Sequence, residues 1–189
     1  MLLGIESAFD SASAAIGTIN KILDSVTIAD KRNAGKLLIP SIKNLFDKNN
    51  ISIEQIEGIF VDLGPGSFTG VRIAGIIVKV IFSAVKKKYF GLSSLEIMVY
   101  NFLQEFDKWN GILIPFIEAK SNFIYTSIFS LEGSNVKEIK SPFIISFDKF
   151  LKTIKEYSNY HIISCEQRLV DSIKNSAIES LKFIDQPTA

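Results

Sequence analysis

Hydrophobic residues alternate with polar ones in short runs at both ends of the chain and form two helical stripes in its first half. Leu2–Ile5, Ala12–Ile19 and Ile22–Ala29 read as three strands, the last two joined by a turn at Asn20-Lys21. From Lys36 to Lys48 the apolar positions Leu38, Ile42, Leu45 and Phe46 recur at helical spacing. Ser52-Ile-Glu-Gln55 has the form of a capping box and precedes a strand at Gly58–Leu63. Val71–Val85 is almost wholly apolar and predicts a second helix, followed by a strand at Lys88–Gly91. A further capping box, Ser93-Ser-Leu-Glu96, opens a helix to about Phe106. Beyond the polar connector Asp107-Lys-Trp-Asn110, strands are expected at Ile112–Glu118, Phe123–Leu131 and Val136–Ile139. A helix at Phe147–Tyr157 and a strand at His161–Ser164 complete the pattern, and the tail after Arg168 gives no clear signal.

Three strands, then helix, strand, helix, strand and helix is the order of a ribonuclease-H-like α/β unit. The same unit forms each half of the actin-like ATPase fold. The expected organisation is therefore two related halves, residues 1–107 and 111–189, the second shortened.

Gly64-Pro-Gly-Ser-Phe-Thr-Gly-Val-Arg72 sits where the fourth strand gives way to a helix. Glycines are entropically costly unless the backbone needs positive φ or close approach, and a strand-to-helix corner supplies that need. The first helical N–H groups have no intrahelical partner. Ser67 or Thr69 can cap them, or an anion can. The spacing excludes two phosphate motifs. A P-loop needs lysine after its last glycine, where Val71 stands, and a dinucleotide fingerprint needs glycine where Thr69 stands.

The stretch from Gly64 to Ile73 resembles the signature of the bacterial TsaB (YeaZ) family. Leu2-Leu-Gly-Ile-Glu-Ser7 is similar to that family's opening strand, and Phe116-Ile-Glu-Ala-Lys120 to its Ile-Asp-Ala-Arg. Arg32-Asn-Ala-Gly-Lys-Leu-Leu-Ile-Pro40 resembles a further family segment, with Ala34 in place of histidine and Gly35 in place of serine. The family's C-terminal Pro-x-Tyr-Leu segment is missing. The resemblance implies a non-catalytic partner of TsaD, the enzyme that places a threonylcarbamoyl group on adenosine beside the tRNA anticodon. It implies a homodimer when alone, with a TsaE-type ATPase and tRNA reached through the complex. No cofactor of its own is expected, ATP and metal belonging to the partner subunits. The partner- or anion-binding candidates are Glu6, Ser7, Gly64, Gly66, Ser67, Thr69, Gly70 and Arg72. Helices of the first half carry the family's contacts, which makes Leu37, Ile39, Ile76 and Lys79 interface candidates.

Composition narrows the chemistry. A net charge of +1 over 189 residues argues against a strongly basic nucleic-acid surface on this chain. Cys165 is the only cysteine, so an internal disulfide is impossible and a reducing cytoplasm fits. The apolar start stops at Glu6 without a basic flank, unlike a signal peptide. Val71–Val85 is too short for a membrane span and is interrupted by Arg72 and Lys79, so a soluble protein is expected. Catalytic relatives hold metal through a helical His-x-x-x-His pair. One histidine, His161, cannot supply that, and no metal site or catalytic residue is expected. The competing reading is a ribonuclease-H-like nuclease or phosphotransferase using Glu6 and Asp62, at the ends of the first and fourth strands. A weaker third is an anion or nucleotide binder at the Gly64–Gly70 corner, with the Ser7 region as its opposite wall.

Overall fold

The computed structural model describes all residues except 107, 134, 167–169, 172, 174–180 and 185–189. The chain divides into two compact units, one of Met1–Ser94 and one that starts at Leu95.

In the first unit, β1 (Leu2–Glu6), β2 (Ala12–Thr18) and β3 (Lys21–Ile28) form an antiparallel meander. Helix α1 (Ala34–Lys48) then crosses to β4 (Gly58–Asp62), which pairs parallel to β1. Helix α2 (Phe68–Val85) makes the next crossing to β5 (Lys88–Leu92), parallel to β4. A parallel neighbour requires such a crossover, and the two helices supply them. The sheet order is β3-β2-β1-β4-β5. Leu3, Ile5, Ala14, Ile16, Ile59 and Val61 pack in one core with Leu38, Ile42 and Leu45 of α1 and Ala74, Ile77 and Ile81 of α2. The capping box at Ser52 forms as expected, the Ser52 N–H donating to Gln55 Oε1 at 2.7 Å.

Helix α2 begins at Phe68, three residues before the expected Val71, because Ser67 is the extended residue that caps it. Ser67 Oγ accepts from the Gly70 N–H at 3.3 Å. Thr69, the other proposed cap, lies inside the first turn and is exposed. The earlier start makes α2 18 residues long, which by length and composition is enough to cross a membrane. Gly70, Ala74, Ile77, Val78 and Ile81 on one of its sides are buried in the unit.

Helix α3 (Ser94–Glu105), whose first residue still belongs to the first unit, leads in the second to β6 (Gly111–Ala119), β7 (Phe123–Glu132) and β8 (Asn135–Ser146), again an antiparallel meander. Helix α4 (Phe147–Thr153), continued by a 3-10 turn at Ile154–Glu156, crosses to β9 (Tyr160–Ser164), parallel to β6. β10 (Leu181–Phe183) pairs parallel to β9. The order β8-β7-β6-β9-β10 repeats the first unit strand for strand and sense for sense, with a last strand of three residues. The two halves are therefore related copies, the second abbreviated.

Three expectations for this half change. β8 runs on to Ser146 past the expected end at Ile139, because it is an edge strand and tolerates Pro142. β10 occupies part of the tail where no pattern was legible. The unit boundary falls at Ser94/Leu95 rather than at the 107–111 connector. Leu95, Met98, Val99 and Phe102 of α3 are fully buried, and the Phe102 ring lies 5.6 Å from Trp109 and 5.9 Å from His161.

Candidate functional site

The glycine corner joins two loops, the one after β1 and the one that leads from β4 into α2. Each glycine has a distinct reason. Gly64 holds φ at +83°, a conformation that L side chains rarely adopt, and precedes a cis bond to Pro65. Gly66 and Gly70 do not have positive φ; they are glycine because the β1 loop comes too close. A Cβ on Gly66 would overlap the Ala8 carbonyl oxygen, which accepts from the Ser67 N–H at 2.6 Å. A Cβ on Gly70 would overlap the Ser7 carbonyl oxygen. Ser7 Oγ donates to the Gly70 carbonyl at 2.6 Å.

Glu6 and Asp62 end the neighbouring parallel strands β1 and β4 and are each 1 % exposed. Glu6 Oε1 accepts from the N–H groups of Ala8 and Phe9, while its Oε2 is buried without a hydrogen-bond partner. Burial first, and then the charge of Asp62, pushes the Glu6 carboxyl up to about 8. Asp62 accepts from Ser94 Oγ at 2.7 Å and 2.8 Å and from the Gly64 N–H at 2.7 Å. Burial still raises it to about 6 against those bonds. Glu6 thus ties down the loop after β1, Asp62 ties the loop after β4 to Ser94, and both are closed to solvent. The N–H groups of Ala8, Phe9, Gly64, Ser67 and Gly70 all donate to acceptors within the corner.

Ser94 is the functional neighbour that sequence reasoning missed. It stood within an apparent capping box, so nothing marked its hydroxyl as the partner of Asp62. Arg72 is exposed and lies over the Phe68 ring, 3.7 Å from its centroid. Ala34, where the resembling family has histidine, is buried in the core. His161 packs against the Trp109 ring at 4.8 Å, and Cys165 is buried.

The interface candidates separate. Ile39, Ile42 and Phe46 of α1 and Ile77, Val80 and Ala84 of α2 line an apolar groove of about 310 Å³. Ile39 is 52 % exposed and Val80 57 %. Ile76 is exposed one helical turn from Val80, whereas Leu37, two residues before Ile39, leaves α1 on a different side. Lys79 is exposed but does not line the groove. Among the described residues, no group of three or more His, Cys, Asp or Glu side chains could hold a metal ion.

Residues 21–179 match the family described as TsaD: tRNA N6-adenosine threonylcarbamoyltransferase. The chain is 24 % identical over 154 residues to tRNA threonylcarbamoyladenosine biosynthesis protein TsaB of Bacillus subtilis, covering 79 % of this chain and 65 % of that one. It therefore spans just under two thirds of that relative's length. A crystal structure of a protein with similarity to peptidase YeaZ, from Pseudomonas aeruginosa, superposes with a TM-score of 0.78 at 18 % identity, covering 100 % of this chain and 86 % of the other. YeaZ from Pseudomonas aeruginosa gives 0.66 at 24 % identity, covering 76 % and 66 %. With the repeated strand order and the glycine corner, these matches place the chain in the tRNA N6-adenosine threonylcarbamoyltransferase family, on its TsaB/YeaZ branch.

Proposed function

We propose that this chain is a non-catalytic subunit in the biosynthesis of threonylcarbamoyladenosine on tRNA, and that its partner is a TsaD homologue. The observation that carries the reading is the contrast between the inward-turned corner and the open α1–α2 groove. Glu6 Oε1, both Asp62 oxygens and the loop N–H groups are engaged within the corner, and the remaining Glu6 oxygen is buried. The apolar surface left over lines the groove around Ile39 and Val80. The groove takes a helix of the TsaD homologue, and a second copy of this chain when that partner is missing. A TsaE-type ATPase joins through the complex, tRNA is bound by the assembled complex, ATP and metal ions belong to the partner subunits, and the complex is cytoplasmic.

Co-purification tests the reading. The full chain is expected to elute with the TsaD homologue, and Ile39→Glu combined with Ile76→Glu to elute alone while remaining folded. A wild-type chain that elutes free of the TsaD homologue at micromolar concentration overturns it.

A further inference from the structure

One run of the first unit carries charge of a single sign. Between Asp62 and Glu96 the chain has no acidic residue and five basic ones, Arg72, Lys79, Lys86, Lys87 and Lys88. Helix α2 sorts this stretch into three sides. One is buried with Ala74, Ile77 and Val78, and a second, with Val80 and Ala84, faces the groove. The third carries Arg72, Lys79 and, just past the last turn, Lys86. Residues seven apart return to the same side after two turns, so Arg72 and Lys79 lie roughly 10 Å apart along it, and Lys86 follows as the left-handed C-cap at the helix end.

Aromatic rings share that strip. Phe68 is 69 % exposed beneath the Arg72 guanidinium, and Phe82 lies three residues after Lys79. Tyr89 of β5 is 57 % exposed and meets Phe82 edge-to-face at 5.6 Å. Lys87 is set apart, since its charge acts on Glu54 and Glu57. A helix dipole favours cations only in the last turn, which accounts for Lys86 but not for Lys79 in mid-helix or Arg72 near the N-terminus.

We propose that this basic-aromatic strip of α2 and β5 binds tRNA directly, through a single-stranded loop. Lys79 and Lys86 neutralise phosphates, and Phe82 and Tyr89 offer faces on which unpaired bases stack. Cations beside exposed rings are the combination that single-stranded RNA engages, phosphates on the one and bases on the other. The strip adjoins the groove without sharing its side chains, so protein and RNA contacts coexist on one helix. The choice of tRNA rests on the proposed function; the recognition chemistry does not.

Fluorescence anisotropy of the full chain, with an unmodified tRNA transcript and a blunt RNA duplex of similar length, tests this at about 50 and 200 mM salt. The wild type is expected to bind the tRNA more tightly than the duplex. Lys79→Glu with Lys86→Glu should weaken it about tenfold or more and flatten the salt dependence. Phe82→Ala with Tyr89→Ala should weaken tRNA binding more than duplex binding. Circular dichroism verifies folding, and Lys79→Ala with Lys86→Ala serves if the reversals misfold. A wild type that binds no tRNA at the lower salt overturns the proposal, as do lysine variants with unchanged RNA affinity. So does loss of the TsaD homologue with RNA affinity retained, which would make the strip a protein contact. RNA binding without any association to the TsaD homologue would sustain this inference and end the reading it was joined to.

Discussion

Ser7 and Gly70 are 63 positions apart and touch twice: Ser7 Oγ donates to the Gly70 carbonyl at 2.6 Å, and the Ser7 carbonyl fills the space a Gly70 Cβ would need. This contact fixes the β1 loop against the first turn of α2. Gly70→Ala must push the two backbones apart and should cost about 2 kcal/mol or more, the scale of other overpacking changes. Ser7→Ala loses one buried hydrogen bond and should cost about 1–2 kcal/mol. Urea denaturation measures both, and a Gly70→Ala chain as stable as wild type would contradict the contact.

The pH dependence of stability follows from Glu6 and Asp62. Their carboxyls rise from ordinary values of 4.5 and 3.8 to about 8 and about 6, so the folded chain holds their protons more tightly than the unfolded one. The stability this linkage contributes is complete below about pH 4. It is lost as pH rises, through about 6 for Asp62 and about 8 for Glu6. Thermal melts between about pH 5 and 8.5 should therefore show a falling midpoint. Glu6→Gln keeps an oxygen for the Ala8 and Phe9 N–H groups and removes the charge. Its midpoint should exceed that of wild type at about pH 8 and vary less with pH. Equal slopes in the two proteins would show that Glu6 is not the group responsible.

Much of this was legible in the sequence. The strand and helix order was visible because apolar periodicity is strong where each element faces one core, as in Leu38, Ile42 and Leu45 against Leu3 and Ile59. The corner was visible because three glycines in seven positions cost too much backbone entropy to stand anywhere but at a tight turn. What stayed hidden depends on contacts between distant segments. Close approach at Gly66 and Gly70 is set by Ser7 and Ala8, and the partner of Asp62 is a serine 32 residues away. β10 was missed because three residues are too few for a period to emerge.

The buried acids also carry a prediction about catalysis. With both carboxylates closed to solvent and bonded within the corner, Glu6 to the Ala8 N–H and Asp62 to Ser94, the purified chain should neither cut RNA or DNA nor turn over ATP with added magnesium or manganese. Turnover that disappears in Glu6→Gln or Asp62→Asn would install the nuclease or phosphotransferase reading in place of the one proposed.

The groove gives a separable prediction. Ile39→Glu removes a half-exposed apolar side chain from the α1 side, and surface substitutions of this kind usually change stability by less than about 0.5 kcal/mol. Sedimentation velocity of the isolated chain should shift from dimer to monomer, with the melting midpoint nearly unchanged. An unaltered sedimentation coefficient in Ile39→Glu and Ile76→Glu alike would remove α1 and α2 from the contact.

The role in tRNA modification is tested most directly by nucleoside mass spectrometry of tRNA from cells depleted of this chain. Threonylcarbamoyladenosine is expected to fall sharply and to be restored by the wild-type chain, but not by the Ile39→Glu, Ile76→Glu variant. An undiminished level of that nucleoside after depletion would contradict it.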